Sequence, residues 1–193
     1  MTRMIVLLFI ALLIGPAHAH VGGHPLTRLI LVEATDEGTL VTLQVPAPLV
    51  YAAAADARGG PDAPIDAPFL TTIPGRFGPR YVVEAEAISQ NPVAAFRLLQ
   101  AVAPLKGGAV PQIVSARAFA FGGRGEMLVG DAMIEGVLLY PKQVDLTLFP
   151  MVEPPKLPLG WYMETHVSDF RSIPSFITQR IGPLKAPIVL GSP

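Results

Sequence analysis

The placement of proline and glycine constrains this chain more than anything else in it. Of its 193 residues, 21 are proline and 18 are glycine, and they divide the chain into short stretches from end to end. Proline has no N–H to give to a strand ladder or a helix interior, and glycine favours turns. A chain so punctuated folds into short strands joined by turns, with room for brief helices only. It contains no cysteine, so disulfides, thiolate metal ligands and cysteine nucleophiles are excluded together.

Between the breaks, alternation of apolar and polar residues marks strands. Leu26–Thr35 and Thr39–Val45 flank Asp36-Glu37-Gly38 and predict a β-hairpin, ended by Pro46 and Pro48. Residues 51–68, rich in Ala, Asp, Gly and Pro, predict a surface loop whose acids lack the spacing of a calcium loop. Arg80–Ala87 reads as a strand. Asn91-Pro92 opens the single predicted helix, with Asn91 as N-cap and Pro92 at the first position. Val93, Phe96, Leu99 and Val102 form its buried face, and Pro104 stops it. Gln112–Phe121 and Glu126–Ile134 predict a second hairpin around Gly122-Gly123-Arg124-Gly125. Gly136–Phe149 adds a run with Pro141 at an edge or bulge, and Trp161–Phe170 a late strand. About seven strands, one short helix and no strand–helix alternation predict a mainly β fold, an antiparallel β-sandwich of immunoglobulin-like kind.

The amino terminus is of another kind. Arg3 precedes the apolar run Ile5–Ile14, then Gly15-Pro16 breaks it and Ala17-His18-Ala19 follows. A basic start, a run of about ten apolar residues and a small-residue cleavage site are the three regions of a secretory signal peptide. A membrane-spanning helix needs about twenty such residues, so no transmembrane span is expected in the mature chain. The expected organisation is a signal peptide over 1–19, a β-sandwich domain over 20–172 and a proline-containing apolar tail over 173–193. The tail either packs back on the sandwich or docks on a partner, with a membrane or envelope protein the expected kind. Removing 19 of the 193 residues leaves 174, one domain's worth, in the periplasm or secreted. The leader carries one arginine and no acid, so 13 basic groups remain against 15 acidic ones, a net −2. That balance gives no reason to expect a nucleic-acid partner.

Histidine placement supplies the candidate site. The chain has four, and cleavage after Ala19 leaves His20, His24 and His166, with His20 at the new terminus. A terminal histidine can hold a metal through its α-amine and its ring together, and Gly22-Gly23 let His24 fold back to add a third nitrogen. Nitrogen donors suit copper, nickel and zinc, so copper or nickel is the expected cofactor. His166, with Glu164 on the same strand face, completes the set if its strand lies beside the terminus. Catalytic motifs are scarce: there is no Gly-x-Ser-x-Gly elbow, phosphate loop or His-Glu-x-x-His. Ser168 and Asp169 neighbour His166, but adjacent strand residues point to opposite faces and form no relay.

His24-Pro25-Leu26 leading into a strand, Asp36-Glu37-Gly38, a second strand ending in Pro46, and Ala87-Ile88-Ser89-Gln90-Asn91-Pro92 leading into a helix resemble the extracytoplasmic segment that begins HupE/UreJ-type proteins. The resemblance covers residues 26–121. That family is associated with membrane transport of nickel or related metals through a helical region, which this sequence lacks. The resemblance therefore implies a free-standing soluble counterpart, metal-handling or accessory to a membrane system. His20 also resembles the first mature residue of exported copper proteins that begin with histidine. Intact-mass analysis of the exported protein is expected to give the chain beginning at His20, and a terminus at any other residue removes the terminal chelate.

Overall fold

A computed structural model of the chain describes residues 24–52, 65–76, 78–120, 126–152, 154–157, 159–171, 177–181 and 184–190. Strand β1 (His24–Thr35) and strand β2 (Gly38–Pro46) form the expected hairpin, antiparallel from Leu29↔Gln44 to Thr35↔Gly38. Asp36 and Glu37 make the turn. Gly38 leaves it with φ +143°, and a Cβ there would lie 1.9 Å from the Tyr140 carbonyl oxygen, so only glycine fits. The Thr35 hydroxyl closes the turn, accepting from the Gly38 N–H and donating to its carbonyl, each at 3.1 Å.

Beyond Pro46 comes the short helix α1 (Ala47–Val50), then the hairpin of β3 (Leu70–Ile73) and β4 (Arg80–Val83). The strand expected over 80–87 ends at Val83 and gives way to helix α2 (Ala85–Gln90). Ala85-Glu86-Ala87 favours helix, and only Ile88 needs burial on it. Helix α3 (Pro92–Val102) starts with proline as expected. Asn91 does not cap it: its side-chain amide turns back and donates to the Ala87 carbonyl, finishing α2. The buried face is Ala95, Phe96, Leu99 and Val102. Val93 is 54% exposed. At about 100° per residue it lies about 60° past Phe96, on the side away from Leu99. The fold therefore has three α-helices among the described residues where one was expected.

Strand β5 (Leu105–Gly107) is followed by β6 (Gln112–Ala120), which pairs antiparallel with β7 (Ala132–Tyr140); of the run expected over 126–134 only Ala132, Met133 and Ile134 join that ladder. The intervening stretch is taken by β4: the Val83 N–H donates to Met127 at 2.7 Å, and Val82 bridges Leu128. A 3₁₀ turn, Val129–Asp131, then leads into β7. Pro141 ends β7, so the run expected over 136–149 divides, and β8 (Leu146–Leu148) lies in another sheet. Strand β9 (Trp161–Asp169) matches its expected span, and β10 (Ile177–Ile181) and β11 (Ile188–Leu190) follow.

The fold is mainly β. The largest sheet has six strands in the order β10-β9-β1-β2-β7-β6, a second has the order β11-β8-β5, and β3-β4 form a third. All pairings are antiparallel except one: β1 and β9 run parallel, from His24↔Trp161 to Val32↔Asp169. The expected all-antiparallel architecture is thereby corrected to a mixed sheet. Alternation shows that a strand is half buried but carries no direction, so β9 gave no sign of running with β1. Two strands of the 173–193 tail extend sheets, β10 on β9 and β11 on β8.

One apolar core joins these layers: Ile30, Val41, Leu43 and Leu138 of the large sheet, Leu99 of α3, and Leu105, Leu146 and Leu148 of the second sheet. Gly136 lets α3 approach β7, because a Cβ there would meet Leu99 Cδ1 at 2.7 Å. Arg171 ties the sheets together. It makes a two-pronged ion pair with Asp169, shortest contact 2.6 Å, and donates to the Val144 and Leu190 carbonyls at 2.7 and 3.0 Å. Burial alone would raise the Asp169 carboxyl, but hydrogen bonds from Arg171 and its charge outweigh that and hold it below its ordinary 3.8. A depressed folded-state pKa adds stability above the unfolded value and loses it as pH falls. The stability deficit of Asp169→Asn, from urea titrations, is expected to be constant above about pH 5 and to shrink below pH 3.8. Leu99→Ala is expected to cost about 2–5 kcal/mol in the same assay.

Candidate functional site

His20 lies outside the described residues, as does the whole 1–19 leader. His24 opens β1, its backbone opposite Trp161 of β9. His166 sits five residues further along β9, opposite Leu29. Strand β9 thus lies directly beside the start of β1, the condition a shared metal site sets. The register nevertheless separates the backbones of His24 and His166 by about 16 Å along the strands.

What His166 does meet is Glu164. Two residues apart on β9, they share a face, and His166 Nε2 lies 3.5 Å from Glu164 Oε2. Glu164 is 7% exposed. Their face is the one turned away from the core, because Thr165, Val167 and Asp169 between and beyond them are the buried inward set. Asp169 belongs to Arg171 on that inward side, so no His166–Asp169 relay forms. Among the described residues, no three His, Asp or Glu side chains gather as a metal set.

A different residue is the chemical anomaly of the molecule. Arg28 is 1% exposed, among the largest fully buried side chains. Its Nε donates to Thr165 Oγ1 at 3.0 Å, and its terminal nitrogens reach Thr165 Oγ1 and the Val102 carbonyl. Both partners are neutral. Desolvation lowers the guanidinium pKa to about 10, so it remains cationic at neutral pH. Val102 is the last residue of α3, and the final carbonyls of a helix lack intrahelical donors and carry partial negative charge. Arg28 therefore caps α3 from β1 while bonding across to β9. The sequence held the signal: Arg28 falls in step with Leu26, Ile30 and Val32, the inward residues of β1.

On the outer face, Glu135 of β7 joins its neighbours on either side. It accepts from Arg117 Nε of β6 at 2.6 Å and from Gln44 Nε2 of β2 at 2.7 Å. Burial acts to raise this carboxyl, and the Arg117 and Gln44 hydrogen bonds with the Arg117 charge bring it below its usual value.

A cleft of about 440 Å³ opens where β1 begins, β2 ends and β7 begins. Pro25, Thr27, Leu29, Pro46, Asp131 and Met133 line it, and Asp131 is its one ionisable wall residue. It is apolar with a single carboxylate. Sequence reading missed it because its walls come from three strands far apart in the chain.

No protein-family model matches the chain, and no curated protein matches it. The site has to be interpreted from its own chemistry. Arg28→Ala is expected to lose about 3–5 kcal/mol by urea unfolding, since it empties a buried site and strands the Val102 carbonyl. Arg28→Met keeps the volume without the charge and is expected to lose markedly less.

Proposed function

We propose that this protein is an exported, β-rich accessory module of an envelope or membrane system, working by recognition in the periplasm or outside the cell. The apolar cleft carries this reading. Its volume falls in the range of about 300–1,000 Å³ typical of binding sites, and it is lined mainly by apolar groups with few polar ones. Its walls are mainly strand residues, which hold a binding surface more rigidly than loops do, with Gly130 and Asp131 from the 3₁₀ turn before β7. Among the described residues, no helix is long and apolar enough to cross a membrane, so the proposed partner supplies any span. The HupE/UreJ-like pattern supports the same reading, that of a soluble counterpart serving a membrane system. The immunoglobulin-like sandwich belongs with the proposal too, with the β11-β8-β5 sheet as its second layer over a shared core.

Met133→Trp fills the cleft from one wall. Tagged wild-type protein is expected to retain a stoichiometric partner from detergent-solubilised envelopes, and Met133→Trp to lose it with unchanged thermal unfolding. A wild-type protein that returns alone refutes the reading.

A second reading rests on the terminal histidine pair beside β9. In it, the mature terminus binds Cu(II) or Ni(II) through His20 and His24, and His166, about 16 Å along the strands from His24, stands apart from the chelate. One equivalent of Cu(II) is expected to bind in calorimetric titration, and one added residue before His20 to weaken binding steeply. Unchanged affinity with the extra residue eliminates the terminal chelate.

A further inference from the structure

The cleft at the start of β1 is a gap in the large sheet as well as a hollow beside it. The β1–β2 ladder stops at Leu29↔Gln44, whereas the β1–β9 ladder continues back to His24↔Trp161. Residues 24–28 of β1 are therefore paired on one side, and among the described residues no strand pairs with them on the other. Pro46 accounts for the stop. Carried two residues further, the register would set Thr27 opposite Pro46, which has no N–H to give to the Thr27 carbonyl. Pro46 still pairs with Met133 of β7, and the chain then leaves the sheet as α1.

The direction of the backbone shows which groups face the gap. The Phe170 N–H donates to the Val32 carbonyl at 2.8 Å, so Val32 turns its peptide groups toward β9. Alternate residues of a strand turn the same way, so Ile30, Arg28 and Leu26 follow Val32, while Leu29, Thr27 and Pro25 face the other side. At Leu29 that side is β2. At Thr27 and Pro25 it is the cleft, which both residues line. The Thr27 N–H and carbonyl and the Pro25 carbonyl thus form a short length of open strand edge. The rest of the lining agrees. Leu26 and Ala132 are buried residues of the inward face, Leu29 and Met133 belong to the outward face, and all four border the cleft, as they would a gap running through the plane of the sheet.

Those groups define the occupant. An open strand edge is met by an extended peptide, whose main chain supplies the missing donors and acceptors. Leu29, Pro46 and Met133 favour apolar side chains on it. Asp131 stands exposed in the same wall and, among the described residues, makes no ion pair, so a cation on the peptide complements it. From Pro25 to Leu29 the edge runs about 13 Å, the length of roughly four extended residues. We propose that an extended segment of a partner protein, apolar and bearing one lysine or arginine, lies in this gap as a short strand added to β1. The proposal rests on the reading of the cleft as the recognition site and specifies what the cleft recognises.

The mature protein is panned against an immobilised heptapeptide library. The peptides recovered are expected to be apolar with a lysine or arginine at one fixed position, and panning with Asp131→Lys to recover acidic peptides in their place. The recovered peptides are then resynthesised with single backbone N-methyl groups, which remove an N–H and keep the side chains. Affinity is expected to fall about tenfold at alternate positions only. Asp131→Asn is expected to weaken binding about threefold and to remove its dependence on salt. Met133→Trp is expected to abolish binding, and both variants to unfold in urea as the wild type does. Peptides recovered without a cation, N-methylation tolerated at every position, or no peptide recovered at all overturns the proposal. So does concentration-dependent dimerisation lost in Met133→Trp, which assigns the gap to a second copy, and so does peptide binding that appears only after the residues before His24 are removed, which assigns it to the chain's own terminus. Met133-dependent retention of an envelope protein without peptide binding keeps the accessory reading and refutes the added strand. Peptide binding with these signatures but no envelope partner does the reverse.

Discussion

A guanidinium held between two strands and a helix end is the interaction on which the arrangement of this molecule turns. Arg28 belongs to β1, takes its acceptor Thr165 from β9, and caps α3 through the Val102 carbonyl. Removing such a group from water is costly, and it is tolerated only where hydrogen bonds replace the lost hydration. The replacement here comes from two elements, β9 and α3, to a side chain carried on a third, β1. Each is therefore located relative to the others by one side chain, and apolar packing of Ile30, Leu99 and Leu105 fills in around that fixed point.

A second polar tie works at the carboxy end of β9. Asp169 and Arg171 hold the large sheet to the Leu190 carbonyl of the second and to the Val144 carbonyl just before β8. The strand is thus pinned inward at its centre, by Thr165, and at its carboxy end, by Asp169. Its outer face is left to Tyr162, Glu164 and His166.

How much of this the sequence disclosed depends on distance along the chain. The β1–β2 hairpin was legible because its signal, two alternating runs around Asp36-Glu37-Gly38, is local. Pro92 at the start of α3 was legible for the same reason. Asn91 was misread because its amide has two helix ends within reach and local composition does not choose between them. Residues 126–129 were assigned to a hairpin because nothing nearby reveals the competing claim of Val83. In the candidate site, the histidines stood out by rarity, whereas their separation is a matter of register, which alternation does not encode. Arg28 was the reverse case: its inward phase was readable, but its acceptors lie 74 and 137 residues away.

The parallel β1–β9 pair has a consequence in time. A hairpin strand can close as soon as its neighbour emerges, but β1 has a partner on each side, and one of them is Trp161–Asp169. Until that stretch has been synthesised, β1 is the bare margin of an unfinished sheet, and Arg28 lacks the hydroxyl that receives it. Closing so long a loop is entropically expensive and slow. The β1–β9 junction is consequently among the last parts of the sheet to assemble, and that side of β1 stays open until residues 161–169 exist.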